Sequence, residues 1–188
     1  MARMLIVIPI MFTQEELKKT LGQVPADFEE ASSEFWSYIK EKLEPFLDKI
    51  YTVYSEKPSS SPETENQVDT ILKRFKIHAK FNCIDDPLLV AEAEAWLELT
   101  KKQKKQMVID LFEESMSDRN KHASEVINKT LVDGGIGILF IDSARKLAIP
   151  ADIKVVRMCP FDPLDYLNRY LVKLKTENRR TTSSNKPL

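Results

Sequence analysis

Two apolar runs rich in β-branched residues constrain the fold of this chain most strongly. They are Met4–Ile10, close to the first residue, and Gly135–Ile141, far along the sequence. A strand covered by helices on both faces is apolar at nearly every position, as the strands of parallel sheets are. We therefore expect these two runs to be interior strands of one sheet.

Helical and strand patterns alternate around these two runs. Strand-like segments are found at Lys49–Ser55, Ile77–Ile84 and Ile153–Met158, and helical spacing of apolar residues at 25–47, 87–101, 106–131 and 163–175. This alternation predicts a three-layer α/β fold, with a mostly parallel four- to five-stranded sheet and helices on both faces. The length and the polar end predict one α/β domain over residues 1–175 and a disordered tail over residues 176–188.

Local signals mark several ends of these elements. Thr13 and Glu16 have the spacing of a capping box, which predicts a short helix to about Leu21. Asp86 followed by Pro87 is typical of the junction from a strand to a helix. Pro45 is expected to distort the end of its helix. Lys57–Asn66 is rich in Pro, Ser and Glu and is expected to be a mobile loop, with a helix over Gln67–Phe75 after it.

Charge and cysteine usage narrow the classes of function. The 28 Lys and Arg against 29 Asp and Glu give a net charge of -1, which argues against nucleic acid and an anionic membrane as partners. Cys83 and Cys159 have no CxxC spacing, so we expect two free thiols, no zinc site, no cofactor and a reducing compartment. The apolar segment Met4–Met11 contains Pro9 and lacks a cleavage site, which favours a buried strand over an export signal and a soluble, cytoplasmic protein.

The carboxyl ends of the predicted strands are where an open α/β sheet binds its ligands. The residues that follow the strands there are Phe12, Thr13 and Gln14, then Ser55 and Glu56, then Asp85 and Asp86, and finally Asp142, Ser143 and Arg145. Carboxylates at one edge could hold a divalent cation, although Asp and Ser also cap the helices that follow strands. The ligand-binding residues that we expect are Arg119, Asp142, Arg145, Phe12, Gln14 and Asp85, with no metal ligand among them.

Arg119 is the candidate with the clearest physical reason. It shares a helical stripe with Phe112, Ala123 and Ile127, so it is expected to face the sheet. A buried guanidinium needs an anionic partner. We expect that partner to be Asp142, with Asp85 as the alternative, or an anionic ligand. An internal ion pair and a substrate-binding arginine both remain open.

Several short motifs resemble the TraB and erythromycin-esterase-like superfamily. They are Arg119-Asn120, Asn128–Leu131, Gly134–Ile141, Ile149-Pro-Ala-Asp-Ile153 and, near the start, Ile8–Gln14. In that group an Arg-Asp pair on a helix and two histidines form the reactive site. The resemblance places Phe12 and Arg145 where those histidines would be, and Asn120 in place of the aspartate. Only Arg119 is retained.

These replacements favour a catalytically degenerate member of that group. Phenylalanine cannot carry a proton, and arginine stays protonated at any working pH. We therefore expect a binding module for a small molecule or a protein. The alternative is a hydrolase with a carboxylate-based site, in which Asp142, Asp85 and Glu56 surround a divalent metal or a water molecule. The two histidines are far apart and no nucleophile elbow is present. A homo-oligomer formed through the long helices is a further candidate.

Overall fold

A five-stranded, all-parallel sheet forms the middle layer of the computed structural model, which describes residues 2–56, 72–73 and 79–184, with side chains to residue 173. Its strands are β1 (Arg3–Pro9), β2 (Ile50–Ser55), β3 (Lys80–Cys83), β4 (Ile136–Ile141) and β5 (Ile153–Arg157). They lie in the order β3-β2-β4-β1-β5, and every pairing is parallel. The α/β class is confirmed, and the two apolar runs are interior strands as predicted.

Three helices cover one face of the sheet. They are α1 (Gln14–Leu21), α2 (Phe28–Leu43) and, at the end of the chain, a long helix from Pro163 to Ser184 that we call α5 below. Their buried side chains, among them Leu17, Phe35 and Tyr166, pack with Ile6, Ile8 and Phe140 of the strands. The Thr13–Glu16 capping box begins α1 as predicted. This face is the larger of two apolar cores.

The opposite face is covered by part of one long helix and by Leu147 and Ile149 of the loop after β4. Helix α3 (Pro87–Lys102) and helix α4 (Gln106–Thr130) follow β3, and Asp86 caps the start of α3 as expected. Only the carboxyl-terminal part of α4 contacts the sheet, through Ala123, Ile127 and Leu131. Gly137 makes this close packing possible, because a Cβ atom there would lie 3.0 Å from Tyr54 and 3.1 Å from Leu131.

Helix α3 and residues 106–118 of α4 form a helical hairpin with a separate position. Helix α4 is followed directly by β4 and runs antiparallel to it. The amino-terminal part of α4 therefore lies towards the carboxyl edge of the sheet. No residue from 87 to 118 belongs to either core in the part of the chain that the structure describes. The hairpin therefore lies beyond the carboxyl edge of the sheet. Its helices pack mainly on each other, around Ala93, Val108 and Ser115.

Some predicted boundaries were wrong. The helix expected to reach residue 47 ends at Leu43 and continues as a 3-10 helix over Glu44–Lys49, because Pro45 has no N–H to continue the α-helical ladder. The last helix continues past residue 175 to Ser184, into the predicted disordered tail, since Glu177, Arg179 and Arg180 favour helix and no Gly or Pro interrupts the segment. The predicted loop at 57–66, most of the helix at 67–75, and 185–188 lie outside the described residues.

Candidate functional site

Four charged side chains meet at the carboxyl edge of the sheet, and we call them the edge cluster: Glu56, Asp85, Arg119 and Arg145. Glu56 follows β2, Asp85 follows β3 and Arg145 lies on the loop after β4, while Arg119 is supplied by α4. Parallel strands bring their carboxyl ends to one edge, which explains why residues so distant in sequence converge there. The formal charges of the four side chains cancel.

Arg145 is the centre of the edge cluster. Its side chain is only 3% exposed. One terminal nitrogen donates to Glu56 Oε1 at 2.9 Å and to Asp85 Oδ1 at 2.8 Å. Its Nε donates to Asn120 Oδ1 at 3.0 Å, and its other terminal nitrogen to the Arg119 carbonyl at 3.4 Å. The guanidinium therefore ties the loop after β4 to β2, β3 and α4 at once.

Arg119 binds Asp85 through two nitrogens of its guanidinium group. Its Nε donates to Asp85 Oδ1 at 3.1 Å, and Nη2 donates to Asp85 Oδ2. Such bidentate pairing is the geometry that the planar guanidinium favours. Our first expectation for this pair was wrong, because the partner is Asp85 and not Asp142. The structure shows the internal ion pair, while a role of Arg119 in ligand binding stays a prediction.

Burial opposes the ionisation of two members of the edge cluster, Glu56 and Arg119. It raises the pKa of Glu56 above its ordinary value, against the lowering effect of the charge and hydrogen bond of Arg145. Burial would lower the pKa of Arg119, but the hydrogen bond and charge of Asp85 outweigh it and the pKa is raised. Cys83 lies beside the cluster, where burial raises the pKa of its thiol. Both cysteines are free.

The other predicted ligand-binding residues have different surroundings. Asp142 is exposed, and its carboxylate accepts a hydrogen bond from the Ala144 N–H at 2.8 Å, so it closes its own turn. Phe12 packs against the core on the α1–α2 face. Gln14 donates to Glu29 on that same side of the molecule. The structure brings the side chains of Arg119, Arg145 and Asp85 together. The side chains of Asp142, Phe12 and Gln14 lie outside this cluster.

A second buried arginine holds the far end of the loop that follows β4. Arg3 is 9% exposed and donates to Asp152 Oδ2 from two nitrogens, at 3.0 and 2.5 Å. It also donates to the carbonyls of Asn128 and Leu131 at the end of α4, and to Asn128 Oδ1 at 2.8 Å. The loop from 142 to 152 is thus fastened to α4 near both of its ends.

An open groove of about 600 Å³ lies between these two fastenings, and we call it the loop groove. Lys146, Ala148 and Pro150 form its loop wall, and the side of α4 from Phe112 to Asn128 forms its helix wall. Asn120 and Asn128 both line it, and the side-chain oxygen of each accepts from a buried arginine. Within the described part of the chain neither amide nitrogen has an acceptor, so each remains able to donate.

Sequence reasoning missed the loop groove and the contribution of Arg3. A signal for Arg3 was present, because alternation along β1 places it on the same buried face as Leu5. The groove left no such signal. It depends on how far the loop after β4 lies from α4, which residue patterns do not encode.

Three negative findings complete the description. Among the residues described, no group of three or more His, Cys, Asp or Glu side chains is placed to hold a metal ion. Likewise, no helix in the described ranges is long and apolar enough to cross a membrane. No protein-family model, curated protein or solved structure matches this chain.

Proposed function

We propose that this protein is a binding module whose loop groove takes a small ligand rich in hydrogen-bond acceptors, such as a carboxylate. The observation that carries the proposal is the fastening of both groove walls by buried arginines. Walls held in this way are formed before a ligand arrives, which lowers the entropy cost of binding. The volume of about 600 Å³ is suitable for a small organic molecule.

The chemistry of the groove supports the choice of ligand. Arg145 and Arg3 each donate to the side-chain oxygen of Asn120 or Asn128, which orients the two amide groups and leaves their N–H donors without a protein acceptor in the described part of the chain. Lys121 and Lys146 supply ammonium donors along the same groove, whose lining also holds the carboxylates of Glu113 and Glu125, and Glu125 is paired with Lys129 at 3.5 Å. Phe112 and Met116 make one end of the groove apolar. An acceptor-rich head with an apolar part is complementary to this arrangement.

The proposal also keeps the degenerate TraB-like and erythromycin-esterase-like relationship. It is supported by the position of Arg145, which is engaged in ion pairs at a place where the resemblance expects a histidine. In this proposal the edge cluster orients the loop and does not react with the ligand. We also propose a cytoplasmic location, for which the two free thiols are the support.

The proposal is tested by titrating the isotope-labelled protein with hexanoate, benzoate and inorganic phosphate, following the side-chain amide NMR signals of Asn120 and Asn128. We expect a carboxylate to shift both signals. Ala148→Phe should fill the groove and abolish the shifts, while Ala151→Phe, at an exposed position of the same loop outside the groove, should leave them. If none of the three probes shifts these signals, or if Ala148→Phe has no effect, the loop groove does not bind this class.

A hydrolase is the second candidate, and the raised pKa of Glu56 favours it. Burial causes this shift, and a carboxyl group with a raised pKa is better suited to act as a general acid. The paired state of Glu56 and Asp85 argues against a metal at the edge cluster, since both carboxylates are already bound by guanidinium groups. A screen of ester and amide substrates distinguishes the candidates. Activity that is lost in Glu56→Gln, with the fold retained, would favour the hydrolase.

A further inference from the structure

The helical hairpin, α3 with residues 106–118, separates its charges along its length. The turn between the helices carries Lys101, Lys102, Lys104 and Lys105, all exposed, and no acidic residue. The two helical segments below the turn, 87–100 and 106–118, carry no Lys or Arg. Their acidic residues are all exposed: Glu92, Glu94 and Glu98 on α3, and Asp110, Glu113, Glu114 and Asp118 on α4. The hairpin thus has a basic tip and an acidic shaft.

The hairpin also exposes apolar side chains that its two helices cannot cover. Leu88 is 80% exposed and Met107 is 68% exposed, while Leu97 is 39% exposed. On α3, Leu88, Ala91, Ala95 and Leu99 follow spacings of three and four residues, so they form one stripe along the helix. Among the described residues, neither core of the domain includes any part of this stripe.

Pairing within the hairpin leaves most of these charges available. Lys101 binds Glu98 at 2.5 Å, and Lys101, with smaller effects of Lys102 and of Lys19 on α1, lowers the pKa of Glu98. Since i,i+3 pairs at the surface contribute little, this contact does not neutralise the tip. Within the described ranges no other acidic residue of the shaft forms an ion pair with the tip.

We propose that the hairpin is a homodimerisation surface, on which a second copy of this chain docks its hairpin in the opposite direction. An antiparallel, two-fold arrangement places the basic tip of each copy beside the acidic shaft of the other. In this arrangement Leu88, at the base of one hairpin, lies at the same height along the pair as Met107, near the tip of the other. A parallel arrangement would instead place tip against tip, where like charges repel.

This inference does not rest on the proposed ligand: of the hairpin's charged residues only Glu113 lines the loop groove, and the test substitutes none of the residues that line it. The exposed positions that carry it also permit charge changes without disturbing a core. Surface substitutions of this kind usually alter stability little.

Sedimentation velocity of the full chain over about a hundredfold range of concentration, in low and high salt, tests the proposal. We expect a dimer in low salt that high salt weakens. Reversing the tip with K102E, K104E and K105E, or the shaft with E92K, D110K and E114K, should weaken it at least about tenfold. The control K40E, K49E and K154E makes the same change in net charge as the tip reversal, at exposed positions outside the hairpin, and should leave the dimer intact. Circular dichroism checks that each variant is folded.

A mixture gives the sharpest result. Tip-reversed and shaft-reversed chains should each be monomeric alone but form a heterodimer together, and one chain carrying both sets should dimerise again. A monomeric wild-type protein at every concentration, or a dimer that neither reversal weakens, would overturn the proposal. The proposal would also be overturned if neither the mixture nor the combined variant forms a dimer. If the Lys-rich tip serves a different anionic partner, the wild-type chain will stay monomeric in this experiment.

Discussion

Arg145 and Arg119 bind the same carboxylate, but the structure makes them unequal. Arg145 is the only guanidinium that bonds Glu56 in the described part of the chain, and it also bonds Asp85 and Asn120. Arg145→Met should therefore leave a buried carboxylate without its charged partner and cost about 3–5 kcal/mol of the free energy of unfolding. Arg119→Met leaves Asp85 paired with Arg145, and we expect a loss of about 1–3 kcal/mol. Urea unfolding measures both, and equal losses would contradict this division of roles.

Glu56 should give the protein a distinctive pH dependence. Its folded pKa is raised above the ordinary value of 4.5, so the folded state holds the proton more tightly than the unfolded state does. The contribution of this group to stability is then fully present below pH 4.5 and is lost as the pH rises through the folded pKa. Glu56→Gln removes that slope, so the stability of the variant relative to wild type should increase across this window. A difference between the two proteins that does not vary with pH would refute the assignment.

At the scale of elements, the loop from 142 to 152 depends on Arg3 more than on its ion pair. Asp152 is 62% exposed on its side chain, so the Arg3–Asp152 pair is screened by water and Asp152→Asn should lower the free energy of unfolding only slightly. Arg3→Met should cost more, about 1–3 kcal/mol, because it removes the donors to the Asn128 and Leu131 carbonyls at the end of α4. Thermal unfolding compares the two variants. A larger loss for Asp152→Asn would show that the carbonyl contacts are minor.

The elements differ in how far the sequence could predict them. Strands β1 and β4 were predictable because a strand that is buried on both faces needs apolar residues at nearly every position. Few other elements of secondary structure have this requirement. The helix at Asp86–Pro87 was predictable because a cap and a proline act locally. The partner of Arg119 was not, since Asp85 and Asp142 both follow strands and only the order β3-β2-β4-β1-β5, together with the direction of α4, decides between them. Patterns identify which residues are buried, but they do not give the distances between elements.

At the scale of the whole molecule, the edge cluster and the loop groove are mechanically connected. Arg145 bonds the residues that end β2 and β3 and, through Asn120, the wall of the groove. A ligand that binds the Asn120 amide therefore contacts a side chain whose orientation is set by the buried cluster. Arg145→Met should for this reason weaken carboxylate binding even though Arg145 does not line the groove, and the titration that monitors Asn128 measures the effect. Retained affinity in a folded Arg145→Met protein would show that the groove is independent of the cluster.

The hairpin and the sheet should unfold as separate units. Strands β1 and β4 are interior and nearly all of their side chains are buried, so their amides should exchange with solvent only on global unfolding. In residues 87–118 only Ala93, Val108 and Ser115 are buried. The two helices of the hairpin pack mainly on each other. We expect their amides to exchange through a smaller, local opening, in a lower range of free energy. Native-state hydrogen exchange at low protein concentration measures both ranges.

If the hairpin also pairs with a second copy, raising the concentration should slow exchange in residues 87–118 and leave β1 and β4 unchanged, because dimerisation stabilises only the state in which the hairpin is folded. Exchange of the hairpin at the rate of the interior strands at low concentration would show that it belongs to the same cooperative unit as the sheet.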